Sequence, residues 1–388
     1  MTSGHAGEDF ESYLARIRAF TADVLKPNEP RLEAEGRIPP EIVDEIRRIG
    51  LFGISLPPAY DGLGFSMVQQ VRLTIEFTQA SNVYRSRFST TIGLCSQAIL
   101  DHGTEEQKRK YLPRMARGDC TGAFALTEPE AGSDAGSARA TAVRHGGDYV
   151  LNGTKRYITN APDADVFVVM ARTDQSKPGA GGMSAFLVDG GTLGIRIGEI
   201  PRMLGQTGST STEVYFEDCR VPASCLLGGV EGKGLHAALR GINHARTHVA
   251  ATCVGQAIRL IEETTARALE RHQFGKPIGA FQAVRAKLAE SKAEMLAARA
   301  LTLDVAQRFD SGQIPAPDIS AAKWFASEMV SRVADRCVQV HGGMGFMENN
   351  AVTRLYRDTR LFRLFEGTSE IQLDTIARDM LGGLRSVG

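Results

Sequence analysis

Glu366 is a single carboxylate in apolar surroundings, a combination that suits a general base. It lies between Phe365 and Gly367. Because an aromatic neighbour removes water from a carboxylate, the pKa of such a group rises towards neutrality. Glycine lets a substrate carbonyl approach the backbone and accept an N–H bond there. The pattern indicates removal of a proton α to a thioester or ketone, although an ordinary solvated residue at a helix start would have the same local sequence.

A loop rich in hydroxyl groups follows a strand predicted at residues 122–126. The loop contains Thr127, Glu128, Ser133 and Asp134. Its hydroxyls and exposed backbone N–H groups can hydrogen-bond the edge of a flat polar heterocycle, and they can also hold an anion. A role in turns and helix caps fits the same residues, so the loop by itself leaves the choice open.

Five segments carry motifs that are weak alone but specific as an ordered set. They are residues 126–129 with 132–134, 155–160, 271–275 with 281–282, 339–345, and 365–368. In this order they resemble the acyl-CoA dehydrogenase family, and the resemblance covers nearly the whole chain. It implies an FAD-containing oxidoreductase of fatty acid metabolism that oxidises an acyl-CoA to the trans-2-enoyl-CoA. It also implies electron-transferring flavoprotein as the electron acceptor and a homotetramer or homodimer as the assembly.

The resemblance assigns FAD contacts to residues from all five segments. Thr159 would donate to flavin N5, and Tyr157, where the family often has tryptophan, would pack its flat face on the ring. Arg271, Phe274 and Gln282 would reach the FAD of a neighbouring subunit. The full set of expected cofactor residues is Phe124, Leu126, Thr127, Ser133, Tyr157, Thr159, Arg271, Phe274, Gln282, Gln339, Gly343, Thr368 and Glu370.

The resemblance also makes Glu366 the catalytic base. Some family members carry the base on a long helix instead, at a position where this chain has Ala245. The backbone N–H of Glu366 and a ribityl hydroxyl of FAD would polarise the thioester carbonyl, while the Glu366 carboxylate removes the α-proton and hydride passes to flavin N5. The residues expected to contact the substrate are Ser133, Asn243, Arg246, Phe365 and Gly367.

Arg85 adds a question about the substrate. Its local context, residues 84–89, and its distance from residues 126–128 resemble those of the arginine with which glutaryl-CoA dehydrogenases bind a distal carboxylate. A planar guanidinium suits that bidentate task. The alternative is a structural arginine whose hydrogen bonds go to carbonyls and acidic neighbours.

Three other functions stay open. The chain could be an acyl-CoA oxidase, a dehydrogenase of acyl groups held on a carrier protein, or a catalytically silent family member with a structural role. The presence of Thr127, Thr159, Arg271 and Glu366 weighs against the silent member.

Composition narrows the range of partners. The chain has 388 residues, with Lys+Arg 45 balanced by Asp+Glu 45. A neutral chain without a basic stripe argues against nucleic acid or an anionic membrane as the main partner. The six cysteines show no C-x-x-C spacing, which is typical of buried thiols in a reducing compartment. The first ten residues lack the apolar core of a secretory signal, and we expect a soluble, cytoplasmic protein.

The hydrophobic pattern changes twice along the chain. Helical spacing predicts an N-terminal all-α domain, residues 1–120, and short strands between turn signals predict a middle antiparallel β-barrel or sandwich, residues 121–232. Long helical stretches then predict a C-terminal four-helix bundle, residues 233–388, so the fold class is α+β and multi-domain.

His244 and His248 lie four apart on the first bundle helix, but no third ligand is near, and we expect packing rather than a metal site.

Overall fold

The computed structural model describes residues 9–313 and 316–382. The first eight residues, which bear on the prediction that no secretory signal is present, lie outside the described residues. Within the described ranges, no helix is both long and apolar enough to cross a bilayer. All six cysteines are free, and five of them are buried, as their spacing predicted.

The N-terminal third is helical, as predicted. Its α-helices are α1 (Phe10–Phe20), α2 (Glu29–Glu35), α3 (Pro40–Arg48), α4 (Met67–Phe77), α5 (Asn82–Thr90), α6 (Ser96–His102) and α7 (Glu105–Arg117). A capping box of Thr104 and Gln107 begins α7, as the threonine and the acidic first turn suggested. A π-helical turn, Thr91–Cys95, joins α5 to α6. Such turns often mark functional sites, and this one faces the long helix described below.

The middle third is a seven-stranded sheet within the described residues. Its strands are β1 (Gly122–Ala125), β2 (Thr141–His145), β3 (Asp148–Thr159), β4 (Val166–Arg172), β5 (Met183–Asp189), β6 (Ile195–Ile197) and β7 (Ser211–Pro222). The order is β1-β4-β2-β3-β7-β6, with β5 paired to β4. The expectation of a purely antiparallel sheet was wrong, because β1 runs parallel to β4. Two strands intervene between them in sequence, so the connection is a crossover rather than a hairpin.

Strand β4 ties the sheet to the helices. All of its residues except Arg172 are buried. Val168 and Met170 pack with Leu112 of α7, whereas Phe167 and Val169 belong to the core on the other face of the sheet. The sheet therefore has one face against helices, and the end of β1 leads directly into the hydroxyl-rich loop.

The C-terminal third is a helical bundle, as predicted. It contains α8 (Gly234–Glu270), the small hairpin of β8 (His272–Gln273) and β9 (Lys276–Pro277), α9 (Gln282–Asp310), α10 (Ala316–His341), α11 (Ala351–Thr359) and α12 (Ser369–Met380). Buried residues of α8, α9 and α10 share one core with Val71 and Ile75 of α4. Helix α8 is thus common to the bundle and to the N-terminal helices. The domain limits proposed from the sequence stay predictions.

Candidate active site

Glu366 lies in a tight turn between the 3₁₀ turn Arg360–Arg363 and the start of α12. Its φ is +53°, and that of Gly367 is +88°. A left-handed conformation costs a residue with a side chain roughly 1–2 kcal/mol, so surrounding contacts must hold it. Phe365 is part of that surrounding, since its ring packs at 5.7 Å from the ring of Phe362.

Three buried side chains hold the carbonyl groups of this turn. Arg246 Nε donates to the Glu366 carbonyl at 2.8 Å. Gln372 Nε2 donates to the carbonyls of Glu366 at 3.1 Å and Gly367 at 2.9 Å. Lys323 Nζ donates to the Gly367 carbonyl at 2.7 Å. By contrast, the N–H of Glu366 donates no hydrogen bond within the described residues, and this leaves it available to a substrate carbonyl.

The environment of the Glu366 carboxylate raises its pKa to about 7, because burial removes water from it. Arg246, Lys323 and Arg85 oppose the rise in that order. The residue is nevertheless half-buried rather than sealed. A carboxyl group that is reachable and has a pKa near neutrality can accept a proton at physiological pH.

Arg85 lies on α5 close enough to feel the Glu366 charge. It is 9% exposed. Burial lowers the pKa of its guanidinium to about 10, and the Glu366 carboxylate partly opposes this. A structural arginine would hydrogen-bond to carbonyls or acidic side chains, but no such bond to Arg85 is present within residues 9–313 and 316–382. The guanidinium therefore keeps its charge without a protein acceptor.

A buried ion pair fixes the loop that follows β1. Lys155 Nζ donates to Glu128 Oε1 at 2.7 Å and to the Leu126 carbonyl at 3.1 Å. The Glu128 carboxylate also accepts the backbone N–H groups of Arg139 and Ala140. The N–H of Arg156 donates to the Thr127 carbonyl at 2.8 Å. These contacts pin the predicted flavin-edge residues Leu126 and Thr127 to β3.

A bulge in β3 turns Tyr157 outwards. The pairing of β3 with β7 shifts between Lys155 and Ile158, and Tyr157 has a φ of +59°. Its side chain is 64% exposed, with the Arg156 guanidinium 5.1 Å from the ring centroid. Bulges commonly re-aim a side chain next to a functional site. The result is a free aromatic face two residues before Thr159, which is suited to stacking on a flat ring.

Three of the remaining predicted residues lie beside the Glu366 turn or at the start of α12, and the others lie elsewhere on the chain. Asn243 lies beside the Glu366 turn, where its Oδ1 accepts from Arg246 Nη1 at 3.2 Å. Thr368 caps α12 by accepting the N–H of Ile371, and Glu370 is in the first turn of that helix. The predicted positions Ser133, Gln282 and Gly343 are exposed, and Phe124 on β1 is half-buried.

The β8–β9 hairpin is remote from the Glu366 turn of its own chain. Helix α8 rises about 36 Å between Arg246 and its end before Arg271. Phe274 at the hairpin is 92% exposed. It lines a recess of about 380 Å³ together with Gln339, a residue from a different predicted motif. One chain therefore does not bring this group together with the Glu366 turn.

Sequence reasoning missed Lys323 and Gln372. Both side chains are fully buried, and both hold the turn through backbone carbonyls. A signal existed for Lys323, because it lies in a run of apolar residues on α10 in which a lysine should otherwise be solvent-exposed. Gln372 gave no such signal.

Models of three protein-family domains match the chain in order. They are described as the N-terminal, middle and C-terminal domains of acyl-CoA dehydrogenase, and they match residues 7–119, 123–219 and 232–381. The chain belongs to the acyl-CoA dehydrogenase family. The predictions of the family, of its three-part fold and of an oxidoreductase are confirmed.

Individual relatives cover almost the full length. An acyl-CoA dehydrogenase of Bacillus subtilis is 38% identical over 95% of this chain and 96% of the relative. The CarC subunit of the caffeyl-CoA reductase–Etf complex of Acetobacterium woodii is 38% identical over 94% of each protein. A glutaryl-CoA dehydrogenase of Mycobacterium smegmatis, solved in complex with FADH2, has a TM-score of 0.91 and 32% identity over 98% of this chain and 96% of that chain. The last relative bears out the expectation of FAD at the level of the family.

Proposed function

We propose that the protein is an FAD-dependent acyl-CoA dehydrogenase in which Glu366 removes the α-proton of the acyl thioester. One observation carries this assignment. The Glu366 turn combines a reachable carboxyl group of pKa about 7 with its own undonated backbone N–H. A base and a carbonyl-polarising donor in one residue are the two groups that enolisation of a thioester requires.

The chain's own residues would act in sequence at the thioester. The Glu366 N–H donates to the thioester carbonyl oxygen, which makes the neighbouring Cα–H more acidic. The Glu366 carboxylate then accepts that proton. Arg246, Gln372 and Lys323 keep the peptide carbonyls of the turn occupied, so the turn does not relax as the charge moves. Bound FAD supplies the two-electron oxidation.

The residues present fit an FAD cofactor. The pinned loop at Leu126 and Thr127 offers backbone groups for a heterocycle edge, and Tyr157 offers an exposed aromatic face. We assign the flavin ring to these residues and to Thr159. The exposed Phe274 and Gln339 would hold the FAD of another subunit, as would Arg271 and Gln282.

A second copy of the chain is part of the proposal. The hairpin is separated from its own Glu366 turn by the length of α8, and an aromatic side chain as exposed as Phe274 is typical of an interface. We infer a homodimer or homotetramer. Electron-transferring flavoprotein is the proposed electron acceptor, and the Etf complex of the Acetobacterium relative supports it. The cytoplasmic location stays a prediction.

A dicarboxylyl thioester is the second candidate substrate, and Arg85 favours it. The guanidinium is buried near Glu366 and has no hydrogen-bond acceptor within the described residues. A distal carboxylate would supply two acceptors for it. Among the described residues, no side chain favours the oxidase, carrier-protein or silent alternatives in a comparable way.

Replacement of Glu366 tests the proposal. Glu366→Gln removes the base but keeps the backbone N–H, so it should retain visible flavin absorbance while acyl-CoA oxidation with an artificial electron acceptor falls at least about 10³-fold. The matched control is Glu348→Gln, the same change on a side chain that is 90% exposed, and it should keep full activity. Near-normal turnover by Glu366→Gln would remove Glu366 from its assigned role.

A further inference from the structure

Helix α8 carries two buried histidines with different surroundings. His244 is 5% exposed and His248 is 1% exposed, and their ring centroids are 4.8 Å apart. His248 Nδ1 lies 3.1 Å from Thr74 Oγ1, and its Nε2 lies 3.0 Å from Gln70 Oε1. Both nitrogens of His248 are therefore paired within the protein.

The hydrogen bonds of Gln70 fix the tautomer of His248. Gln70 Nε2 donates to the Phe65 carbonyl at 2.7 Å, so its Oε1 is the acceptor of the amide. His248 Nε2 must then carry the proton, and Nδ1 accepts from the Thr74 hydroxyl. His248 is a neutral, satisfied side chain with no capacity left for a ligand.

His244 lacks such partners. Neither of its ring nitrogens has a hydrogen bond within the described residues, and Nδ1 is fully buried and unpaired. The ring is held by contacts with the His248 ring and with Phe309, whose ring centroid is 6.1 Å away. A buried polar group without a partner costs free energy, so its retention calls for a partner from outside the chain.

Arg85 and His244 occupy the same region. The Arg85 charge is near enough to lower the pKa of His244, although burial is the larger cause. Arg85 also interacts with Glu366. The π-helical turn after α5 faces His244, since a Cβ placed on Gly93 would lie 3.8 Å from His244 Nδ1. Two polar side chains without hydrogen-bond partners in the described residues thus lie near each other, and one of them, Arg85, interacts with the base.

We propose that His244 is a specificity residue which, together with Arg85, binds an anionic distal end of the acyl chain. A carboxylate has oxygens enough for a guanidinium and an imidazole N–H at once. Contact with the fixed His248 ring, which is tilted by 38° from it, orients the imidazole. This role rests on the proposed dehydrogenation at Glu366 and adds a second residue, His244, to the distal-carboxylate site proposed for Arg85.

Two substrates of equal chain length test the role. With the FAD-loaded enzyme, kcat/KM is measured for glutaryl-CoA, which ends in a carboxylate, and for pentanoyl-CoA, which ends in a methyl group. Wild type should prefer glutaryl-CoA. Because a hydrogen bond to a charged group is lost, His244→Leu should lower kcat/KM for glutaryl-CoA by about 10- to 100-fold, mainly through KM, and should change that for pentanoyl-CoA by less than about threefold. His244→Gln keeps an N–H donor and should restore part of the preference.

Direct binding separates this role from the proposed reaction. Calorimetric affinities of the two thioesters for wild type and both variants should show the same preference without turnover. Equal affinities in wild type, or equal losses for both thioesters in His244→Leu and His244→Gln, would overturn the role of His244. Absence of turnover with both thioesters, while the binding preference persists, would instead contradict the proposed dehydrogenation.

Discussion

Two loops of this protein are held by the same device, a fully buried lysine that donates to a backbone carbonyl. Lys155 holds the Leu126 carbonyl in the loop after β1, and Lys323 holds the Gly367 carbonyl in the Glu366 turn. The difference lies in what balances the charge. Lys155 is paired with the buried Glu128 carboxylate, whereas Lys323 forms no salt bridge in the parts of the chain that the structure describes.

Lys323, which has no salt-bridge partner in the described residues, interacts instead with the active-site carboxylate of Glu366. Burial lowers the pKa of Lys323 to about 8, and the charge of Glu366 is among the groups that oppose this. In return, Lys323 opposes the rise in the Glu366 pKa. For Lys155 the opposing interaction is with Glu128 alone. The Lys155–Glu128 ion pair therefore supports the loop after β1, whereas Lys323, which has no paired carboxylate within the described ranges, influences the pKa of the base Glu366.

Removal of Lys155 from its pair with Glu128 should lower stability more than removal of Lys323. Lys155→Met leaves Glu128 buried without its cation, so we expect the free energy of unfolding to fall by about 3 kcal/mol or more in urea denaturation at fixed FAD concentration. The double variant Lys155→Met/Glu128→Gln contains no unpaired charge and should regain part of the loss. If Lys155→Met unfolds at the same urea concentration as wild type, the pair is not what holds the loop.

Removal of Lys323 should instead shift the pH dependence of activity. Glu366 must be deprotonated to act, so kcat/KM should rise with pH through about 7. Lys323→Met removes a charge that favours the carboxylate, which should raise the Glu366 pKa and shift the rising limb to higher pH by roughly one unit. At a pH below this rise, kcat/KM should fall about tenfold. The free energy of unfolding should fall by only about 1 kcal/mol, because one hydrogen bond to the Gly367 carbonyl is lost.

Gln372→Met is the matched control for Lys323. It removes hydrogen bonds to the same turn, including the one to the Gly367 carbonyl, but no charge. We expect it to lower kcat while the pH limb stays where it is in wild type. A limb that shifts equally in both variants would mean that the geometry of the turn, rather than the charge of Lys323, sets the pKa of Glu366.

The contrast also marks what the sequence could predict. Local patterns sufficed for the long helices and for the Thr104 cap, because helical spacing and capping are properties of adjacent residues. The ordered motifs pointed to Glu366 and Tyr157. The parallel pairing of β1, the partners of Lys323 and the unpaired state of Arg85 depend on segments distant in sequence. Gly367, for example, lies 44 residues from Lys323, and no local rule joins them.

Tyr157 offers the smallest test of the same contrast, because it belongs to the pinned region and is not among the groups that shift the pKa of Glu366. Tyr157→Ala removes an exposed aromatic face, so FAD should bind about three- to tenfold more weakly in a flavin-release titration. The rising limb of the pH profile should not move. Tyr157→Phe, which keeps the face, should bind FAD like wild type. A changed pH limb in Tyr157→Ala would show that the two regions are coupled, and the division between a structural lysine and a tuning lysine would then be too simple.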